Sequence, residues 1–225
     1  MGRTRAAGYA LAAISAAIVV AGAAVELVAR LFENDATDEL LDRFGLNEEG
    51  GVPAAWSTLL LLGVAALLAF EAVLARSERD REWRWWAALA GLFLLLGAEE
   101  YLALHELTIE PLRSALDVGG LLYFAWLVPG VALLLAACAI FAGFVRRMPA
   151  GARRPLLLGT LLMAVGGFGL EAVAGWWVSQ EGAGRGALLL HTVEETLEIA
   201  GATLIVVGLL WRLDRTRITV PAPRR

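Results

Sequence analysis

The stretch His191–Gly201 reads HTVEETLEIAG and runs straight on into ATLIVVGLL, residues 202–210. An apolar run of this length is a membrane helix. Yet one histidine and three glutamates, His191, Glu194, Glu195 and Glu198, fall within its first eight residues. A lipid-facing helix would carry leucines there. Reading this stretch as a membrane span decides the fold, and its ionisable groups then need a reason.

The rest of the chain has the same character. Of 225 residues, 59% are hydrophobic, above the roughly 45–50% of a soluble domain. A spanning helix needs about 20 mainly apolar residues. Six segments qualify: 7–32, 54–75, 85–106, 120–145, 155–178 and 187–211. None alternates apolar and polar residues as a barrel strand does. The sequence predicts an all-α, polytopic six-transmembrane-helix bundle, one domain over 1–225. The first run reaches about Leu31, longer than a signal-peptide core, so it is expected to remain as a helix.

All 19 basic residues are arginine. All but Arg30, Arg43, Arg113 and Arg185 fall at one set of helix ends: before the first span, between the second and third, between the fourth and fifth, and after the sixth. The positive-inside rule puts that side, with both termini, in the cytoplasm. The expected location is the cell (cytoplasmic) membrane, with the lipid bilayer as partner and a homo-oligomer or other membrane partner left open. Trp83, Trp85, Trp86 and Trp211 mark the inner interface, and Trp56, Trp176 and Trp177 the outer one. The single cysteine, Cys138, permits no intrachain disulfide.

Segment 33–53, with ENDATDELLDRFGLNEEGG, is an acidic external loop. Asp35 or Thr37 is expected to cap a short helix in it, with Leu40, Leu41 and Phe44 on one side. Turns are expected around Pro111 and Gly119–Gly120, across MPAGARRP (148–155) and across QEGAGRG (180–186), followed by a disordered tail, ITVPAPRR.

Nine acids lie inside the predicted spans: Glu26, Glu71, Glu99, Glu100, Glu106, Glu171, Glu194, Glu195 and Glu198. Each costs about 2.5–3.5 kcal/mol at a helix centre even on lenient insertion scales. With a rise of about 1.5 Å per residue, Glu26, Glu99 and Glu171 fall roughly 6–10 Å outward of the midplane. Glu194 and Glu195 share that level and Glu198 is nearer the middle. Four helices thus bring carboxylates to one layer. Glu71 lies near the inner end of its helix, where it can snorkel or pair with Arg76. At 100° per residue, His191, Glu194, Glu195 and Glu198 occupy an arc of about 100°. Glu99 and Glu106 share a face of the third helix, flanked by Glu100 and His105.

Carboxylates this close do not all ionise without a compensating cation. There is no lysine, and the arginines lie mostly at the inner side. A metal is the first reading, because Glu and His ligands from several helices are the inventory of di-iron and di-manganese bundles and also suit zinc. The order His191-x-x-Glu194 reverses the ferritin-like Glu-x-x-His. The expected ligands are Glu99, Glu171, His191, Glu195 and Glu198 for iron, manganese or zinc. Glu26, Glu100, His105, Glu106 and Glu194 are expected as supporting or proton-transfer groups. If the site is catalytic, the metal would activate water or oxygen on a lipid-soluble substrate. A proton or cation relay through the same residues is the rival. Neutral carboxylates that merely fix the bundle, and haem held by His105 and His191, are further alternatives. No GxSxG, P-loop, GxGxxG or nucleic-acid motif is present.

The segments AEEYLALHE, GFGLEAVAG and VEETLEIAG together resemble a group of uncharacterised bacterial multi-pass membrane proteins. The resemblance covers helices three to six and matches Glu99, Glu100, His105, Glu106, Glu171, Glu194, Glu195 and Glu198. Members more often carry Asp at the place of Glu99, and His191 has no counterpart. The resemblance implies a shared site and names no chemistry.

Overall fold

In the computed structural model, residues 2–32, 34–182 and 185–219 are described. Glu33, Ala183, Gly184 and the end of the expected disordered tail lie outside them. Nine α-helices and no strand occur among the described residues. They are α1 (Arg3–Leu31), α2 (Asp35–Phe44), α3 (Val52–Ser77), α4 (Trp83–Leu102), α5 (Leu104–Leu116), α6 (Leu127–Arg147), α7 (Ala150–Ala164), α8 (Glu171–Glu181) and α9 (Arg185–Thr219). A π-helical segment, Val165–Leu170, joins α7 to α8. Six stretches are long and apolar enough to cross a membrane: Thr4–Ala29, Val52–Ser77, Trp83–Leu102, Leu127–Arg147, Ala150–Glu181 and Gly186–Leu213.

The third span corrects the sequence reading. It does not run to 106 but stops at Leu102, where Ala103 turns left-handed (φ 45°, ψ 44°). A new helix, α5, starts at Leu104. The reason lies in Glu99, whose Oε1 accepts the backbone N–H of His105 at 3.1 Å. That bond satisfies one of the orphan donors at a helix start, so the last turn of α4 caps α5. Glu99 and Glu106 therefore do not share a helix face. Pro111 sits inside α5 rather than at a turn. The chain turns later, at Asp117 (φ 51°) and Gly120 (φ 61°). This delays the fourth span from 120 to Leu127.

Two smaller corrections concern caps and turns. Asn34, not Asp35 or Thr37 alone, caps α2. Its Oδ1 accepts from the N–H groups of Ala36 and Thr37, and Thr37 Oγ1 accepts the N–H of Asn34 in return. Only the front of MPAGARRP is a turn, since α7 begins at Ala150 and holds Pro155.

Helix α9 is the hub and packs against α1, α3, α7 and α8. Small residues set its crossing with α7. A Cβ on Gly201 would meet the carbonyl of Gly159 and Met163, and one on Gly208 would meet the Pro155 ring. Helix α1 is tied in by Ser15 Oγ and Thr203 Oγ1, 2.7 Å apart, with the Trp56 indole donating to Ser15 at 2.9 Å. Val64 and Leu68 of α3 and Ile205 and Leu209 of α9 fill the core between them. At the end away from α2 and α5, Arg212 Nη2 donates to Glu71 Oε2 at 2.8 Å. The partner of Glu71 is thus Arg212 of α9, while Arg76 lies over the Trp83 ring.

Replacing Gly201 by valine should force α7 and α9 apart and cost about 1–3 kcal/mol, as overpacking does. Thermal denaturation in detergent should show a midpoint several degrees lower; an unchanged midpoint would contradict this crossing.

Candidate functional site

The site begins with Glu26. It is only 3% exposed, and both its oxygens are occupied. Oε1 accepts the Leu46 N–H and Asn47 Nδ2, each at 3.0 Å. Oε2 accepts Thr192 Oγ1 of α9 at 2.5 Å. One carboxylate therefore pins the segment after α2 against the hub helix, helped by Leu46, which is almost fully buried. That segment carries Glu48 and Glu49 towards the first turn of α5.

There the break at Ala103 has placed His105 and Glu106. Glu49, His105 and Glu106 each offer a ligand atom, all within 4.8 Å of one another. Among the described residues this is the one group of three histidine or acidic side chains so arranged. Glu49 and Glu106 are exposed and His105 is half-buried. The ring of His105 is fixed from behind, its Nδ1 lying 2.7 Å from Glu99 Oε1 and its face 4.9 Å from the Trp126 ring.

Electrostatics agree with the geometry. Burial alone would lower the His105 pKa, but the Glu99 hydrogen bond and charge outweigh it, and Glu171 and Glu49 add to them. The net effect lifts His105 to about 9. Burial raises the Glu49 pKa, and the charge of Glu106 adds to the rise.

Behind this boundary group lie the other expected residues. Glu171 Oε1 accepts the Trp126 indole N–H at 2.6 Å. His191 Nδ1 lies 3.0 Å from Glu194 Oε2, and its ring packs on Phe124. Glu100, Glu195 and Glu198 lie close enough to feel one another's charge, with Glu194 and Glu171 beside them. Glu198 rests on the π segment, where Cβ atoms on Gly166 and Gly167 would run into it.

Of the expected ligands, Glu99 contacts His105, Glu171 contacts Trp126 and His191 contacts Glu194. Glu195 and Glu198 remain together with Glu100. His105 and Glu106, expected as supporting groups, instead stand at ligand spacing. Glu49 was missed because nothing in an acidic loop distinguishes it from Glu48 or Asp42. Trp126 gave no signal either, since an indole near a helix start reads as an interface anchor.

Residues 11–213 match the family described as a domain of unknown function, DUF8692. The chain belongs to that family. No curated protein and no solved structure matches the chain.

The Glu99–His105 pair has a defined pH signature. The histidine pKa is raised on folding. The pair therefore contributes stability that is full below the ordinary value of about 6.5 and is lost as pH rises through about 9. In Glu99→Gln, the hydrogen bond and charge that outweigh burial are gone, and the His105 pKa should fall well below 9. Histidine NMR titration of metal-free protein would read this directly, and a value still near 9 would contradict it.

Proposed function

We propose that the protein is an integral membrane protein binding a divalent metal at the outer boundary of its bundle, through Glu49, His105 and Glu106. The observation that carries this reading is the convergence of three ligand atoms, one each from Glu49, His105 and Glu106, within 4.8 Å of one another. Glu99 holding Nδ1 is the carboxylate–histidine arrangement that orients metal ligands. One nitrogen and two carboxylates suit zinc, iron or manganese. The arginine distribution supports a cytoplasmic-membrane location with both termini inside, which places α2, α5 and this site on the outer side.

Three protein ligands leave a coordination position for water, as catalytic zinc sites do. Such water is nucleophilic near neutral pH, and a lipid-soluble substrate would reach it from the bilayer boundary. A cation or proton path is the second reading. It is favoured by the series of carboxylates running from Glu49 past Glu100 to Glu195 and Glu198. The series ends there. Beyond it the core is Val64, Leu68, Ile205 and Leu209, and the further buried acid, Glu71, is paired with Arg212. That closed inner half makes binding the stronger reading.

Chelator-treated protein should bind zinc calorimetrically. His105→Ala should abolish binding at the boundary, and Glu99→Gln should weaken it about 10–100-fold. Because the metal must displace the His105 proton, affinity should rise with pH towards about 9. Unaltered zinc affinity in His105→Ala would refute the assignment.

A further inference from the structure

Two turns at the arginine-rich end of the bundle differ in charge. The α3–α4 turn, RSERDREWR (76–84), mixes both signs, its arginines standing among Glu78, Asp80 and Glu82. The α6–α7 turn, RRMPAGARR (146–154), holds four arginines and no acid, and no acid occurs anywhere from Val118 to Leu170. Arg147 reaches across to the other turn, its Nε donating to Glu82 Oε1 at 3.2 Å. Arg146, Arg153 and Arg154 form no ion pair among the described residues. Arg153 is also folded back over the end of α6, where its Nη1 donates to the Arg146 carbonyl at 3.0 Å. Like charges gathered in this way repel unless an anion lies among them.

The flank beside this turn is open. Helix α6 packs at its two ends. Phe144 lies on the rings of Trp85 and Trp86, and a Cβ on Gly130 would meet the rings of Trp126 and Phe168. Between them, eight of the ten residues 131–140 are exposed, and Leu134 and Ala137 are half-buried. Successive helical residues point about 100° apart, so an exposed run of this length leaves the bundle side of α6 uncovered as well. On α7, Arg154, Leu157, Leu158 and Leu161 share one face by their spacing, and all four are exposed. Charge at the helix end with bare hydrocarbon below it is the profile of a phospholipid.

We propose that the α6–α7 turn and the open flank of α6 form a docking site for an anionic phospholipid of the phosphatidylglycerol type, in the leaflet at the arginine-rich end. Arg146, Arg153 and Arg154 take the phosphate, since guanidinium donors match phosphate oxygens in pairs. The acyl chains lie along α6 and α7. Basic clusters at helix ends attract anionic lipid headgroups, and here no acid of the same turn competes for them. The site lies at the end of the bundle away from α2 and α5, so it does not depend on the metal reading.

Cys138 makes the test specific. It is the single cysteine, it is exposed on α6, and it lies about 12 Å along the helix from Arg146, level with the middle of an acyl chain. The full chain, labelled there with a small fluorophore, would be held in phosphatidylcholine nanodiscs containing a little lipid brominated at mid-chain. Brominated phosphatidylglycerol should quench the label at a mole fraction at least about tenfold lower than brominated phosphatidylcholine. Arg146→Gln combined with Arg154→Gln should remove that difference. Arg79→Gln combined with Arg81→Gln, which takes the same charge from the other turn, should keep it. Inorganic phosphate, which has no chains, should not relieve the quenching. Equal quenching by the two lipids in the wild type would overturn the proposal, as would a preference that survives Arg146→Gln with Arg154→Gln. Equal loss in both double variants would overturn it too, because it would mean diffuse attraction to that end of the bundle. Relief by inorganic phosphate would overturn the lipid as occupant.

Discussion

Everything in this fold answers to the cost of a carboxylate in hydrocarbon. An isolated charge there is expensive on every scale, and the reference price of unpaired burial is higher still. The chain nevertheless puts acids on α1, α3, α4, α8 and α9. Each finds its own answer. Glu26 collects three donors. Glu71 takes a guanidinium, and Glu171 takes an indole N–H. Glu99 and Glu194 each hold a histidine ring. What remains is Glu100, beside Ser57, with Glu195 and Glu198.

The answers are linked through the backbone. Because Glu99 caps α5, the chain breaks at Ala103 and His105 moves off the α4 face to the bundle boundary. Because Glu26 grips Leu46 and Asn47, the segment behind α2 delivers Glu49 to the same place. Two carboxylates that look like isolated liabilities in the sequence thus position a third and fourth side chain. Helix α9 supplies the common frame, carrying Thr192, Glu194, Glu195 and Glu198 along one helix that packs on α1, α3, α7 and α8.

Much of this was legible in residue order. Apolar runs of about 20 residues are a strong signal, and the six spans follow from it within a few residues except where local chemistry intervened. The chemistry was less visible because it lives in contacts between distant segments. Nothing in AEEYLALHE announces that Glu99 bends back to cap the next helix; a smooth 3.6-residue period carries straight through Ala103. Nothing in LNEEGG marks Glu49 above Glu48. The polar stripe of α9 was readable, since helical spacing alone puts its members on one face, but the groups that hold the neighbouring carboxylates come from elsewhere: Trp126, which donates to Glu171, precedes α6, and Ser57, beside Glu100, is on α3. The glycines of GGFG signalled close packing or a kink. The π turn and its accommodation of Glu198 needed the neighbouring helix to be seen.

The most direct measurement is the elemental content of the untagged protein, purified from membranes in detergent and dialysed against a mild chelator. The account predicts at least one equivalent of a divalent metal per chain, with the carboxylates ionised around it in the infrared spectrum. Metal-free protein that shows protonated carboxylic acids, and that takes up no metal when it is supplied, would contradict the account.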